Sequence, residues 1–115
     1  MHVELRTEAI SDLVEAAWFY ERQGRGLDEQ FSDAIFSHLA YLETVAGGHE
    51  VVFGAHRMLA RRFPYAVYYK VNGEKVDVVA ILDCRRDPGG ISRTLTNRTA
   101  PHQGSDRPET KATLY

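Results

Sequence analysis

Hydrophobic positions along the chain change period twice. Val3 and Leu5 alternate with polar neighbours, the period-2 mark of a short strand, and Thr7 stands at a helix N-cap position ahead of Glu8. From Ala9 onward Ile10, Leu13, Ala16, Ala17 and Tyr20 recur every three or four residues, with Glu8, Asp12, Glu15, Glu21 and Arg22 on the wet side. The spacing predicts a helix over 8–22. Gln23-Gly24-Arg25-Gly26 interrupts it, because paired glycines let the backbone stop a helix and reverse. A second stripe, Leu27, Phe31, Ala34, Ile35, His38, Leu39 and Leu42, predicts a helix over 27–44, with Asp28, Glu29 and Asp33 near its positive end. So short a connection makes the two helices an antiparallel hairpin.

After Gly47-Gly48 the period falls to about 2. Residues 55–60, 65–71 and 76–83 read as strands, and Asn72-Gly73 between the last two is a strong hairpin signal. Strict alternation puts Tyr65, Val67, Tyr69 and Val71 opposite Val76, Val78, Ala80 and Leu82 on one apolar face for the helices to cover. Ala66, Tyr68, Lys70, Asp77, Val79, Ile81 and Asp83 fall on the other face, expected to be half exposed. On that reading Tyr65 and Tyr69 pack the core and Tyr68 alone is free to stack on a partner. Past Pro88 the apolar pattern gives way to Gly89-Gly90 and a polar stretch, so 89–115 reads as a mobile tail. The expected fold is α+β: a short N-terminal strand, then a helical hairpin packed on a small, largely antiparallel sheet, in the order β-α-α-β-β-β.

With 115 residues, 43% of them hydrophobic, there is one domain, over 1–88, and no room for a second core. Cys84 is the single cysteine and cannot form an internal bridge. Neither a basic-then-apolar leader nor an apolar run of about 18 residues is present, which leads us to expect a cytoplasmic protein without a membrane span. The net charge of -2 hides a segregation. Residues 1–53 hold three Lys/Arg against ten Asp/Glu, whereas residues 54–86 hold seven against three. Arg57, Arg61 and Arg62 belong to one strand and the turn after it, and Arg85 and Arg86 follow the last strand. A sheet can bring these groups together, and guanidinium forks suit phosphates and carboxylates. The five histidines show no zinc-ligand spacing, and the glycine pairs lack a phosphate-loop lysine, so neither a metal nor another cofactor is expected. Cys84, at a strand end, reads as a small hydrophobe.

The succession Asp12-Leu13, Glu15-Ala16, Trp18-Phe19-Tyr20-Glu21, Gly26-Leu27, Phe31, Arg61-Arg62-Phe63-Pro64-Tyr65, Tyr68-Tyr69 and Arg85-Arg86-Asp87-Pro88 resembles the ParE/RelE superfamily of toxins from bacterial type II toxin-antitoxin pairs, the plasmid stabilisation proteins. The resemblance spans residues 3–88 and implies the same helical hairpin on a sheet. It implies a growth-arresting toxin neutralised by a cognate antitoxin, acting on operator DNA only through the antitoxin complex. ParE-like members poison DNA gyrase by contact, and RelE-like members cut mRNA on the ribosome. Cutting requires a base for the ribose 2′-hydroxyl and an acid for the leaving oxygen. Asp87-Pro88 stands where a catalytic aromatic is expected, Cys84 replaces a frequent histidine, and arginine is a poor base, leaving His56 as the local candidate. These departures favour a non-enzymatic, ParE-like toxin, with an mRNA ribonuclease or a non-toxic co-repressor as alternatives. The surface expected to meet antitoxin or target comprises Arg57, Arg61, Arg62, Tyr68, Arg85 and Arg86.

Overall fold

The computed structural model describes residues 1–99 and the backbone of 111–113. Strand β1 (His2–Arg6) runs directly into helix α1 (Thr7–Gln23), and α2 (Leu27–Val45) returns antiparallel to it. Then come β2 (Val51–Val52), β3 (Ala55–Leu59), β4 (Tyr65–Asn72), β5 (Lys75–Asp83), α3 (Pro88–Thr99) and β6 (Lys111–Thr113). The sheet order is β2-β3-β4-β5-β1-β6, with β1 parallel to β5 and every other pairing antiparallel. The architecture is the expected α+β one, with three elements added: β2, α3 and β6.

Local chemistry explains the connections. Between the long helices Gly26 adopts φ 85°, and the Glu21 carboxylate accepts the N–H groups of Gly26 (2.9 Å) and Asp28 (3.2 Å), which satisfies free donors at the start of α2. Thr7 is the first helical residue and not the cap. That position falls to Arg6, whose side chain is committed to Asp77. Between β4 and β5 the pairing Asn72↔Lys75 leaves Gly73-Glu74 as a two-residue loop, and Val71 faces Val76.

The strict alternation expected for β5 fails at one residue. Tyr69 pairs with Val78 and Tyr68 with Ala80, so Val79 is an extra residue, a β-bulge. A bulge reverses the facing of everything beyond it. Ile81, expected on the open face, therefore joins Val67, Tyr69, Val76 and Val78 beneath the helical hairpin, packed with Leu13, Phe31, Ile35 and Leu39. Ala80 and Leu82, expected beneath the hairpin, move to the opposite face.

That opposite face is not half exposed. Ala66, Tyr68, Val79, Ala80 and Leu82 form a second core with Ile91 and Leu95 of α3. Residues 89–99, expected to begin a mobile tail, belong to this helix; residues 100–110, 114 and 115 of the expected tail lie outside the described residues. Asp87 caps α3: its Oδ2 accepts the Gly90 N–H at 3.1 Å and its carbonyl accepts the Ile91 N–H at 3.1 Å. Burying Ile91 and Leu95 contributes roughly 1.5–3 kcal/mol each. Two ion pairs fasten the helix. Arg98 forks onto Asp12 of α1 (Nη1–Oδ2 2.6 Å, Nη2–Oδ1 3.0 Å), while Arg6 pairs with Asp77 at 2.9 Å and also donates to the Arg98 carbonyl.

Candidate functional site

The strand ends that carry the arginines are fixed by an aromatic cluster. Tyr20 of α1, Phe31 of α2, Phe63 of the β3–β4 loop and Tyr65 of β4 pack with ring centroids 4.9–5.9 Å apart, mostly edge to face. Phe63 thereby pins the loop that carries Arg61 and Arg62 against the helical hairpin. The Cys84 N–H donates to the Pro64 carbonyl at 2.9 Å, which brings the Arg85-Arg86 turn beside the same loop. The Cys84 thiol, packed against the second core, lies 3.3 Å from the same carbonyl oxygen.

Arg62 and Arg85 line one hollow of about 460 Å³ with Phe19, Phe63 and Pro64. Arg61 and Arg62 share the adjoining hollow against α2, and Arg86 lines a third beside Phe19 that also contains Asp12, Glu15 and Asp83. Arg61, Arg62, Arg85 and Arg86 thus curve around one end of the molecule with exposed Phe19 among them. Arg85 is partly neutralised, since its guanidinium grips Asp83 at 3.1 and 2.9 Å. That grip holds the Asp83 carboxyl below its ordinary range. Burial, with Tyr20 and Asp83 close by, pushes the Tyr65 phenol up to about 12.

Two expected members stand apart. Tyr68 is 1% exposed, so it is not free to stack; the second core it helps build is covered by α3, where the sequence pattern predicts a tail. Arg57, its cross-strand partner, pairs with Glu50 beside β2. The Glu50 hydrogen bond raises Arg57 above its ordinary value. His56 stacks on Tyr69 at 5.0 Å and its Nδ1 lies 2.7 Å from the His49 carbonyl oxygen, a packing role.

Phe19 was missed as a member. Trp18-Phe19-Tyr20 is a run of which only Tyr20, half-buried, packs against the core, leaving Trp18 68% and Phe19 41% exposed. Consecutive aromatics on an amphipathic helix were the available signal. No group of three or more His, Cys, Asp or Glu that could hold a metal ion occurs among the described residues. Within the same set no helix is long and apolar enough to cross a membrane.

Among family profiles, residues 3–88 match the ParE toxin of the type II toxin-antitoxin system, parDE. Among solved structures, a chain titled "Chromosomal ParDE TA system from P. aeruginosa" superposes with a TM-score of 0.59. It is 19% identical, over 70% of this chain and 92% of its own, a likeness of fold. No curated protein matches. The matched segment takes in β1 to β5, both long helices and all four clustered arginines, and the chain belongs to the ParE toxin family.

Proposed function

We propose that this protein is the toxin of a type II toxin-antitoxin module, arresting growth by binding an essential target such as DNA gyrase and released from that role by a cognate antitoxin. The observation that carries the reading is the hollow where Arg62 and Arg85 flank Phe19 and Phe63. Cationic forks around an aromatic floor complement an acidic segment bearing an apolar anchor, whether that segment belongs to target or antitoxin. Arg61 extends the positive rim and Arg86 continues it toward α1. Contact with operator DNA comes through the antitoxin complex.

The sheet edges favour this surface over simple strand addition. The outer edge of β1 is paired with β6, and at the other end of the sheet β2 covers only Ala55 and His56 of β3. That leaves a short edge near Leu59 for a partner strand, next to the arginine-bearing loop.

The test is induced expression with parallel assays of gyrase supercoiling and ribosome-dependent mRNA cutting, in wild type and in the triple variant Arg61→Glu/Arg62→Glu/Arg85→Glu. Gyrase inhibition that is lost in the variant, with antitoxin affinity lowered together with it, supports the proposal. Arrest accompanied by mRNA cutting transfers the protein to the ribonuclease reading. Antitoxin binding without arrest makes it a co-repressor, and unchanged toxicity in the variant sinks the surface assignment.

A further inference from the structure

A second concave site lies between α2 and β3. It measures about 560 Å³, in the range of small-ligand pockets, and is lined by His38, Tyr41, His49, Leu59 and Arg61, with Met58 beneath. Tyr41 and His49 take no part in the surface described above, whereas His38 and Arg61 also line its adjoining hollow against α2.

Hydrogen bonds sort the two imidazoles. His38 Nδ1 lies 2.8 Å from the Ala34 carbonyl oxygen, which can only accept, so Nδ1 carries the proton and Nε2 keeps a lone pair. At His49 the order is reversed. The Tyr69 hydroxyl oxygen accepts the Gly47 N–H at 3.0 Å and lies 2.5 Å from His49 Nδ1; assigning the hydroxyl as donor to Nδ1 leaves the proton of the neutral ring on Nε2. Burial and the neighbouring His56 hold His49 below its ordinary value, which keeps it neutral. The cleft is thus offered one acceptor nitrogen and one donor nitrogen at fixed places.

The remaining walls divide by chemistry. Arg61 is exposed and has no hydrogen bond or ion pair with any described residue, so its fork is open to an anion. Tyr41 is 60% exposed and Leu59 53%, an apolar and aromatic wall suited to a flat ring.

We propose that this cleft binds a nucleoside monophosphate unit, with its phosphate on the Arg61 fork, its base against Tyr41 and Leu59, and its polar edges matched by His38 Nε2 as acceptor and His49 Nε2–H as donor. No bond is made or broken; the site holds a ligand. The unit can be a free nucleotide or one residue of a single strand, and the two sources share this chemistry.

The His38 and His49 ring protons report occupancy by NMR. AMP, GMP, CMP, UMP, inorganic phosphate and a single-stranded RNA tetranucleotide are titrated in turn. We expect saturation by at least one nucleotide below about 1 mM, with phosphate alone weaker by about tenfold or more. Tyr41→Leu and Arg61→Gln each weaken it by about tenfold. Tighter binding of the mononucleotide identifies a free ligand, and tighter binding of the tetranucleotide identifies a strand. No saturation by about 10 mM, phosphate binding as well as any nucleotide, or wild-type affinity in Tyr41→Leu overturns the proposal. Tyr41 is exposed, so its variant folds as a control for stability, and it leaves the Arg62–Arg85 hollow intact. A failure here is therefore separable from failure of the toxin reading, which antitoxin affinity reports.

Discussion

Replacing Arg98 by Gln tests whether α3 is part of the folded core. Arg98 makes a two-pronged contact with Asp12 and donates a further bond to the Val79 carbonyl at 3.1 Å. The side chains of the pair are 18% and 10% exposed, so neither charge is well solvated. Removing Arg98 leaves the Asp12 carboxylate with the Ile81 N–H at 3.0 Å as its remaining partner. Breaking a buried pair from one side costs about 3–5 kcal/mol, because the surviving charge is stranded. Residual access of water to Arg98 and the retained Ile81 bond place this case at the low end, about 3 kcal/mol. That is about a hundredfold in the ratio of folded to unfolded chain. In urea, with a slope of about 1–3 kcal/mol per molar, the midpoint falls by about 1 M or more. Arg93→Gln, on the exposed side of the same helix, is the control and should stay within about 0.5 kcal/mol of wild type. In the double variant Asp12→Asn/Arg98→Gln the loss should be smaller than the sum of the two singles, since the stranded charge is gone. An Arg98→Gln midpoint equal to that of Arg93→Gln would refute the fastening role.

Other consequences can be measured directly. Leu95→Ala should cost about 2–5 kcal/mol in chemical unfolding by opening a cavity over Tyr68; a loss below about 1 kcal/mol would mean α3 is not packed there. Arg57→Glu should leave antitoxin affinity nearly unchanged while Arg62→Glu and Arg85→Glu weaken it, and equal losses from all three would contradict the separation of Arg57. NMR titration should find His49 below 6.5, so that its contribution to stability is complete above that pH and is lost as pH falls through the folded value, where the unfolded chain binds the proton first. His49→Gln should remove that slope. Ultraviolet difference spectra should show the Tyr65 phenol ionising near 12; its stability contribution is complete below about pH 10 and declines as pH rises toward 12, and Tyr65→Phe should abolish the step.

The amphipathic stripes of α1 and α2 were plain in the sequence because a 3.6-residue period over 17 and 19 residues admits no other element. The three strands expected after the helical hairpin were equally plain, and so was the bearing of the Arg61-Arg62 loop and the Arg85-Arg86 turn, since antiparallel neighbours bring both to one end of the sheet. Helix α3 had local signals that were outweighed. Asp87 followed by Pro88 is a cap and first-turn pair, and Ile91, Leu95 and Arg98 fall at helical intervals. Gly89-Gly90 and the scarcity of apolar residues masked them, because two anchors suffice when a sheet face is waiting.

Periodicity thus determined the helical hairpin, the antiparallel strands and the end of the sheet where the cations gather, all of which follow from short-range backbone geometry. Only the tertiary structure decided the Val79 bulge, the burial of Tyr68, the separation of Arg57 and the hydrogen-bond partners of His38 and His49. Each of these depends on a partner distant along the chain, and local pattern carries no record of which remote groups will compete for a face, a charge or a hydrogen bond.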